Sequence, residues 1–211
     1  MELSIWLLFS SIALASIICH SPAVLLAVTN GRRQGLKGSI FSSLGNICGI
    51  FIISIAAILG LGAMLETSAL LFAILKLSGA IYLLWLGIRQ WRSKRQLFEI
   101  QDKSTEHPHG ERKYFIQGLL VALSNPKAIL FFTALFPQFI DISRPVVIQF
   151  VILTLTFMSY SFLTLMIYAK SAHFFKGRLF AGNRNLWVNR ISGTIFIIFG
   201  LGILGIRNKT A

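Results

Sequence analysis

The sequence predicts an all-α polytopic membrane protein, with six transmembrane helices arranged as two inverted three-helix repeats. Three observations predict it: long apolar runs, basic residues on alternate loops, and two stretches that echo each other. Of the 211 residues, 55% are hydrophobic and only 13% charged, which is not the balance of a soluble domain. Six apolar runs approach or exceed the roughly 20 residues that cross about 30 Å of hydrocarbon. They lie near Leu3–Val28, Ile40–Leu65, Ser68–Ile88, Phe115–Phe136, Val146–Ala169 and Leu186–Ile206. Only helices and closed barrels satisfy the backbone in lipid, and a barrel would show shorter segments of alternating polarity.

The net charge of +13 is placed rather than spread. Arg32, Arg33 and Lys37 follow the first run, and Arg89, Arg92, Lys94, Arg95, Lys103, Arg112 and Lys113 follow the third. Lys170, Lys176, Arg178, Arg184 and Arg190 follow the fifth, whereas the opposite side has only Arg144, Arg207 and Lys209. This is the positive-inside pattern. It predicts a multi-pass protein of the cytoplasmic membrane with both termini on the outer, periplasmic face, and it argues against nucleic acid as the partner.

The echo pairs Lys76-Leu77-Ser78-Gly79-Ala80-Ile81-Tyr82-Leu83-Leu84-Trp85 with Arg190-Ile191-Ser192-Gly193-Thr194-Ile195-Phe196-Ile197-Ile198-Phe199. A weaker one pairs Ser21-Pro22-Ala23 with Asn125-Pro126-Lys127. Three runs precede the polar segment 89–114 and three follow it. A three-span unit begins and ends on opposite sides, so its second copy enters inverted, as in many secondary transporters. The predicted organisation is a first repeat over 1–88, a basic cytoplasmic loop over 89–114 and a second repeat over 115–211.

Taken in order, span one opens with Glu2 and without Lys or Arg, so Ala13-Leu14-Ala15 is read as helix rather than as a cleavage site. It carries Cys19-His20-Ser21-Pro22, where proline interrupts the helix. His20 alone among span residues titrates near neutrality; it is a candidate proton carrier or a neutral histidine bonded within the bundle. Span two offers a small-residue packing face at Gly45 and Gly49, with Asn46 between them able to bond across helices. Cys19 and Cys48 read as buried thiols without disulfide or metal. In span three, Lys76, Gly79 and Tyr82 are candidates for a structural or gating role, and Trp85 and Trp91 for interfacial anchors.

His107-Pro108-His109 in the connecting loop reads as solvated. Span four holds the strongest signal, Asn125-Pro126-Lys127. A lysine near the bilayer centre costs at least about 2.5–3.5 kcal/mol and is a functional candidate by default. The bland reading is a kinked helix whose lysine snorkels or bonds a carbonyl. Span five gives no sign of which face lines a site. The segment 170–190 interleaves basic residues with Phe174, Phe175, Leu179 and Phe180, suggesting a short helix on the inner membrane surface. Span six repeats the glycine face at Gly193.

No Asp or Glu lies within any run. The interior therefore suits an anionic group such as a substrate carboxylate, and suits a metal cation poorly. No metal or cofactor is expected. An intramembrane enzyme would need a nucleophile–base pair or a metal triad; Ser21 beside His20 is neither, since adjacent helical residues point about 100° apart. A non-transporting scaffold or partner subunit is the alternative. The expected partners are a carboxylate-bearing small molecule and membrane lipids, with a homo-oligomer left open.

With these residues in hand, the chain resembles the LysE/RhtB family of bacterial amino-acid exporters over nearly its whole length. The most specific match is Ser124-Asn125-Pro126-Lys127-Ala128-Ile129-Leu130-Phe131-Phe132 with Phe136-Pro137-Gln138-Phe139. Gly35, Gly45, the stretch Lys76 to Leu83 and Leu86-Gly87 add to it. The resemblance implies a secondary exporter of amino acids or their small derivatives, driven by proton exchange, with Pro22, Asn125, Pro126 and Lys127 in paired central motifs. The chain departs from the family's Thr-Pro-Gly-Pro at the first motif, where it has Cys19-His20-Ser21-Pro22. The residues expected to bind or pass substrate are His20, Ser21, Pro22, Asn46, Asn125, Pro126 and Lys127.

Overall fold

The computed structural model describes residues 2–18, 21–67 and 110–175, together with residues 77, 80–81, 84–85, 87–89, 91–92, 190–191, 193–194, 196–198 and 200–201. All regular structure among the described residues is helical. In the long blocks the helices are α1 (Leu3–Ile18), α2 (Pro22–Thr67), α3 (Glu111–Leu123), α4 (Pro126–Leu130) and α5 (Val146–Phe175). α4 continues without a loop into a π-turn, Phe131–Leu135, and a 3-10 turn, Phe136–Phe139.

Gly35–Gly60 and Val146–Phe174 are each long and apolar enough to cross a membrane. Two bent pairs pass the same test when each is taken as one span: Leu3–Ile18 with Pro22–Arg33, bent by 56°, and Glu111–Leu123 with Pro126–Phe139, bent by 53°. The described residues thus contain between two and four candidate crossings. The third and sixth apolar runs fall largely outside them.

Both bends have the same local cause. Proline lacks the amide that would continue a helix and fits only its first turn, and the residue before it is pushed out of the α region. Asn125 is accordingly extended, at φ −81° and ψ 105°, and its Oδ1 accepts from the Lys127 amide at 3.1 Å. At the first bend the Ser21 hydroxyl accepts from the Val24 amide at 3.3 Å. In both, the capping residue is buried and the proline exposed.

A third interruption is not a proline. Gly35 has φ 69° and ψ −162°, a backbone state that costs glycine little and side-chain-bearing residues much. It divides α2 into limbs Pro22–Arg33 and Gly35–Gly60. The first basic segment is therefore not a loop: Arg32, Arg33 and Lys37 sit on helix either side of one glycine. Two further boundaries move. α3 starts at Glu111, whose carboxylate meets Lys37 at 2.7 Å, and α5 runs on through Phe174 and Phe175, so the separate surface helix does not begin there. Cys48 is exposed rather than buried. The two histidines of His107-Pro108-His109 lie outside the described residues.

Glycine sets how closely the helices approach. A Cβ on Gly45 would lie 1.9 Å from the Phe115 carbonyl oxygen, and one on Gly118 would lie 1.8 Å from that of Ser42. Gly49 faces Ala122 in the same α2–α3 seam. The described residues of 77–92 and 190–201 run antiparallel in close contact, Gly87 against Gly193 and Ala80 against Gly200. The Arg190 guanidinium lies 5.8 Å from the Trp91 ring there, and Arg89 lies 5.0 Å from Trp85. At the end of the molecule bearing the N-terminus, Arg144 pairs with Glu2 and with Asp141, both at 3.2 Å. Donation from the Ser143 hydroxyl and amide, aided by Arg144, holds the Asp141 carboxyl below the usual carboxylate range.

Candidate functional site

The two proline bends meet around one small cavity. Its polar lining is Ser16, Ser21, Asn46, Asn125, Lys127 and Ser161, and its apolar lining includes Val24, Ile50, Phe157 and Leu165. Its volume of about 30 Å³ holds about two waters, at about 10–15 Å³ each. No Asp or Glu is among the lining residues.

Lys127 joins the two bends. The last four carbonyls of a helix have no intrahelical partner. At the C-terminal end of α1, the Lys127 ammonium donates to the Ser16 carbonyl, across 111 residues of sequence. The Tyr168 hydroxyl of α5 donates to the Ile18 carbonyl at 3.1 Å. An ammonium group at a helix C-terminus is also favoured by the helix dipole. The first bend supplies acceptors and the second supplies the charged donor.

A second polar pair lies on other helices. The Ser161 hydroxyl of α5 donates to Asn46 Oδ1 of α2 at 3.3 Å, and each residue is 4% exposed. On the Glu2–Arg144 side of the cavity lies a layer of aromatic packing. Phe9 meets the edges of Phe131, Phe136 and Phe139 with ring centres 5.9, 6.0 and 5.3 Å apart. Phe157, on the cavity wall, lies 4.7 Å from Phe131 and 4.9 Å from Phe132. Two of these rings, Phe131 and Phe132, belong to the π-turn; π-turns are rare and frequently sit at functional sites.

Of the candidates read from sequence, Ser21, Asn46, Asn125 and Lys127 come together on the cavity. Pro22 and Pro126 do not line it; both are exposed and shape the site through the backbone. Gly45, Gly49 and Gly193 pack helices together. His20, Lys76, Gly79 and Tyr82 lie outside the described residues. Ser16, Phe157, Ser161 and Tyr168 were not singled out from sequence. α5 is apolar on every side, so periodicity gives no inward face, and a serine in such a helix is unremarkable until a partner helix is known.

Apolar helices broken at prolines, whose ends close on a half-buried lysine and a small polar cavity, fit the class of membrane translocators. The chain belongs to the LysE type translocator family, whose model matches residues 5–205. It is 29% identical over 202 residues to the homoserine/homoserine lactone efflux protein of Salmonella typhimurium, covering 95% of this chain and 97% of that one. The protein of the same name from Salmonella typhi matches to the same extent. A membrane protein of Vibrio cholerae, itself uncharacterized, is 29% identical over 204 residues, 97% of each chain. No solved structure matches.

Proposed function

We propose that the protein is a proton-coupled exporter that carries amino acids or small amino-acid derivatives out across the bacterial cytoplasmic membrane. The observation that carries this reading is the Lys127 ammonium of one proline bend bonded to the Ser16 carbonyl of the other. A kinked helix with a carbonyl-bonded lysine could be mere structure. A lysine that bonds the other bend, on the wall of a cavity, links the two elements whose relative movement would open a path.

Six spans in two inverted repeats, 1–88 and 115–211 about the loop 89–114, are supported by two features. The bends share their construction, and the echoed stretches run antiparallel where they touch. The placement of basic residues supports a cytoplasmic Lys37–Glu111 end and termini on the outer face.

In the mechanism, the cavity of about 30 Å³ has room for water rather than for an amino acid, so it must widen to take substrate. Entry of substrate from the cytoplasm displaces the Lys127–Ser16 bond, and the ammonium turns to the substrate's carboxylate, or to the ester carbonyl of a lactone. The bond lost and the bond gained are both charge-assisted, each worth about 1.5–3 kcal/mol, so the exchange is near balance and a substrate carboxylate tips it by its charge. Rocking of the halves then parts the aromatic layer around Phe9, which serves as the outer gate. His20, which precedes Ser21 in the sequence, is the proposed proton carrier. Homoserine, named for the Salmonella relatives, is the first substrate to test.

Inside-out vesicles energised with a proton gradient should accumulate labelled homoserine, and an uncoupler should abolish the uptake. Lys127→Ala should insert normally yet lose the accumulation. Wild-type rates in that variant would remove Lys127 from the mechanism.

A further inference from the structure

Alternating access needs two barriers, and the aromatic layer around Phe9 supplies only the outer one. The limb Pro22–Arg33 runs from the cavity toward the Lys37–Glu111 end. Ser21, Ala23 and Val24 line the cavity where it starts, and the turn at Gly35 follows it. At about 1.5 Å per residue it is a rod of about 18 Å. Both its ends are interrupted, one by the proline bend of 56° and the other by the positive φ of Gly35. Such breaks absorb backbone rotation, so the piece between them can swing as a unit. The rest of α2 cannot follow, because Gly45 and Gly49 seat it against α3 at backbone distance.

What holds the limb is narrow. Val24, Ala27 and Val28 pack with Leu165, Ala169 and Ala172 of α5, in an apolar cluster separate from the one around Phe9. Most of these side chains are small, so parting them uncovers little apolar surface. Further along, a Cβ on Gly31 would lie 2.4 Å from the Ala169 carbonyl oxygen. One directional contact completes the seam. His173 Nδ1 of α5 lies 3.2 Å from the Gly31 carbonyl oxygen, and its ring would be 3.4 Å from a Cβ on Gly35. A carbonyl only accepts, so Nδ1 carries the proton and donates, whether the ring is neutral or charged. Asn30, beside Gly31, is 6% exposed, and its amide nitrogen has no partner among the described residues. An unpaired buried donor penalises the docked arrangement and favours one in which it is satisfied.

We infer that the limb Pro22–Arg33 is the inner gate of the transporter, hinged at Gly35 and latched to α5 by donation from His173 to the Gly31 carbonyl. Swung away from Leu165 and Ala169, it opens the Val24 side of the cavity toward the Lys37–Glu111 end. His173 is a positioning residue, which touches the gate and not the substrate. This rests on the export reading and supplies the second barrier that reading lacks.

The test is the accessibility of a reporter cysteine, Ala27→Cys, buried in the seam, in a protein that also carries Cys19→Ser and Cys48→Ser. Inside-out vesicles present the cytoplasmic face to a membrane-impermeant maleimide. A control reporter, Ala13→Cys, is buried in the other cluster. His173→Phe keeps a ring and loses the donor. It should speed labelling at position 27 at least about twofold, the effect of one hydrogen bond on a two-state equilibrium, and leave position 13 unchanged. His173→Asn restores a donor and should label at the rate of the His173 protein. An unchanged rate in His173→Phe overturns the inference. So does equal acceleration in His173→Asn or at the control position, which would mean loosened packing rather than a lost latch. If the His173 variants fail to fold, the Ala27→Cys reporter alone decides. In vesicles that accumulate homoserine, its labelling should rise at least about twofold when homoserine and a proton gradient are supplied, since turnover populates the open limb. A constant rate there overturns the gate. Failure of wild-type vesicles to accumulate any amino acid would instead remove the export reading, and the gate with it, whatever the labelling shows.

Discussion

At the first bend a buried serine caps a helix that opens with an exposed proline, and at the second a buried asparagine does the same. The bend angles, 56° and 53°, are nearly equal. The residues after the two prolines differ. Ala23 and Val24 leave the first bend with backbone carbonyls as its main polar resource, whereas Lys127 gives the second a positive charge that reaches those carbonyls. The same backbone device thus supports opposite chemistry, acceptors on one side of the cavity and a donor on the other. A zwitterion or a lactone has both polarities and can be held between them; a plain hydrocarbon cannot.

The likeness between the bends breaks first if they are forced apart. The α2–α3 seam holds the second bend against α2 through Gly118, where a Cβ would lie 1.8 Å from the Ser42 carbonyl oxygen. A leucine there must move backbone, and overpacking of ordinary cores already costs about 1–3 kcal/mol. Gly118→Leu should therefore lose most of its detergent-extractable, monodisperse protein on size exclusion. Gly60→Ala, with nothing within 4 Å of the added carbon, should behave as wild type. Equal yields from the two variants would show that the seam is not what positions the bend.

A smaller effect sharpens the division of labour. Loss of a helix cap costs about 0.5–2 kcal/mol, so Asn125→Ala and Ser21→Ala should destabilise comparably. Transport should separate them. Asn125 fixes the backbone amide of Lys127 itself, so its loss should slow homoserine accumulation by about tenfold, corresponding to about 1.4 kcal/mol. Ser21→Ala should slow it by no more than about threefold. Matching rates would mean that the two bends share the chemistry after all.

Much of this was legible in the sequence because it depends on local rules. Proline after Ser21 and after Asn125 must interrupt a helix wherever it falls, and a lysine beside one interruption must find a partner. Gly45 and Gly49 are small whatever they touch. The identity of distant partners could not be read. Nothing in the sequence around Ser16 marks its carbonyl as the acceptor for Lys127. Ser161 and Tyr168 lie on a helix apolar on all sides, so their inward direction is set by α2 and α1 rather than by pattern. The turn at Gly35 was hidden for the opposite reason: Arg32, Arg33 and Lys37 suggest a solvated loop, and one left-handed glycine does the turning while the basic residues remain helical.

The finest test concerns the carbonyl end of α1, which two side chains cap. Lys127 serves Ser16 and Tyr168 serves Ile18. Removing the tyrosine hydroxyl should cost about 0.5–1.5 kcal/mol, the net worth of one neutral hydrogen bond, and should lower the melting temperature of the purified protein slightly while leaving homoserine export within a few-fold. If both side chains stabilise one shared element, their losses should not add. A thermal-unfolding cycle of Lys127→Gln, Tyr168→Phe and the double variant should give a coupling of at least about 0.5 kcal/mol, as for residues in one hydrogen-bonded network. Strict additivity would mean that the α1 end does not act as a unit. The first bend would then be scaffold, two separate caps rather than one element that moves.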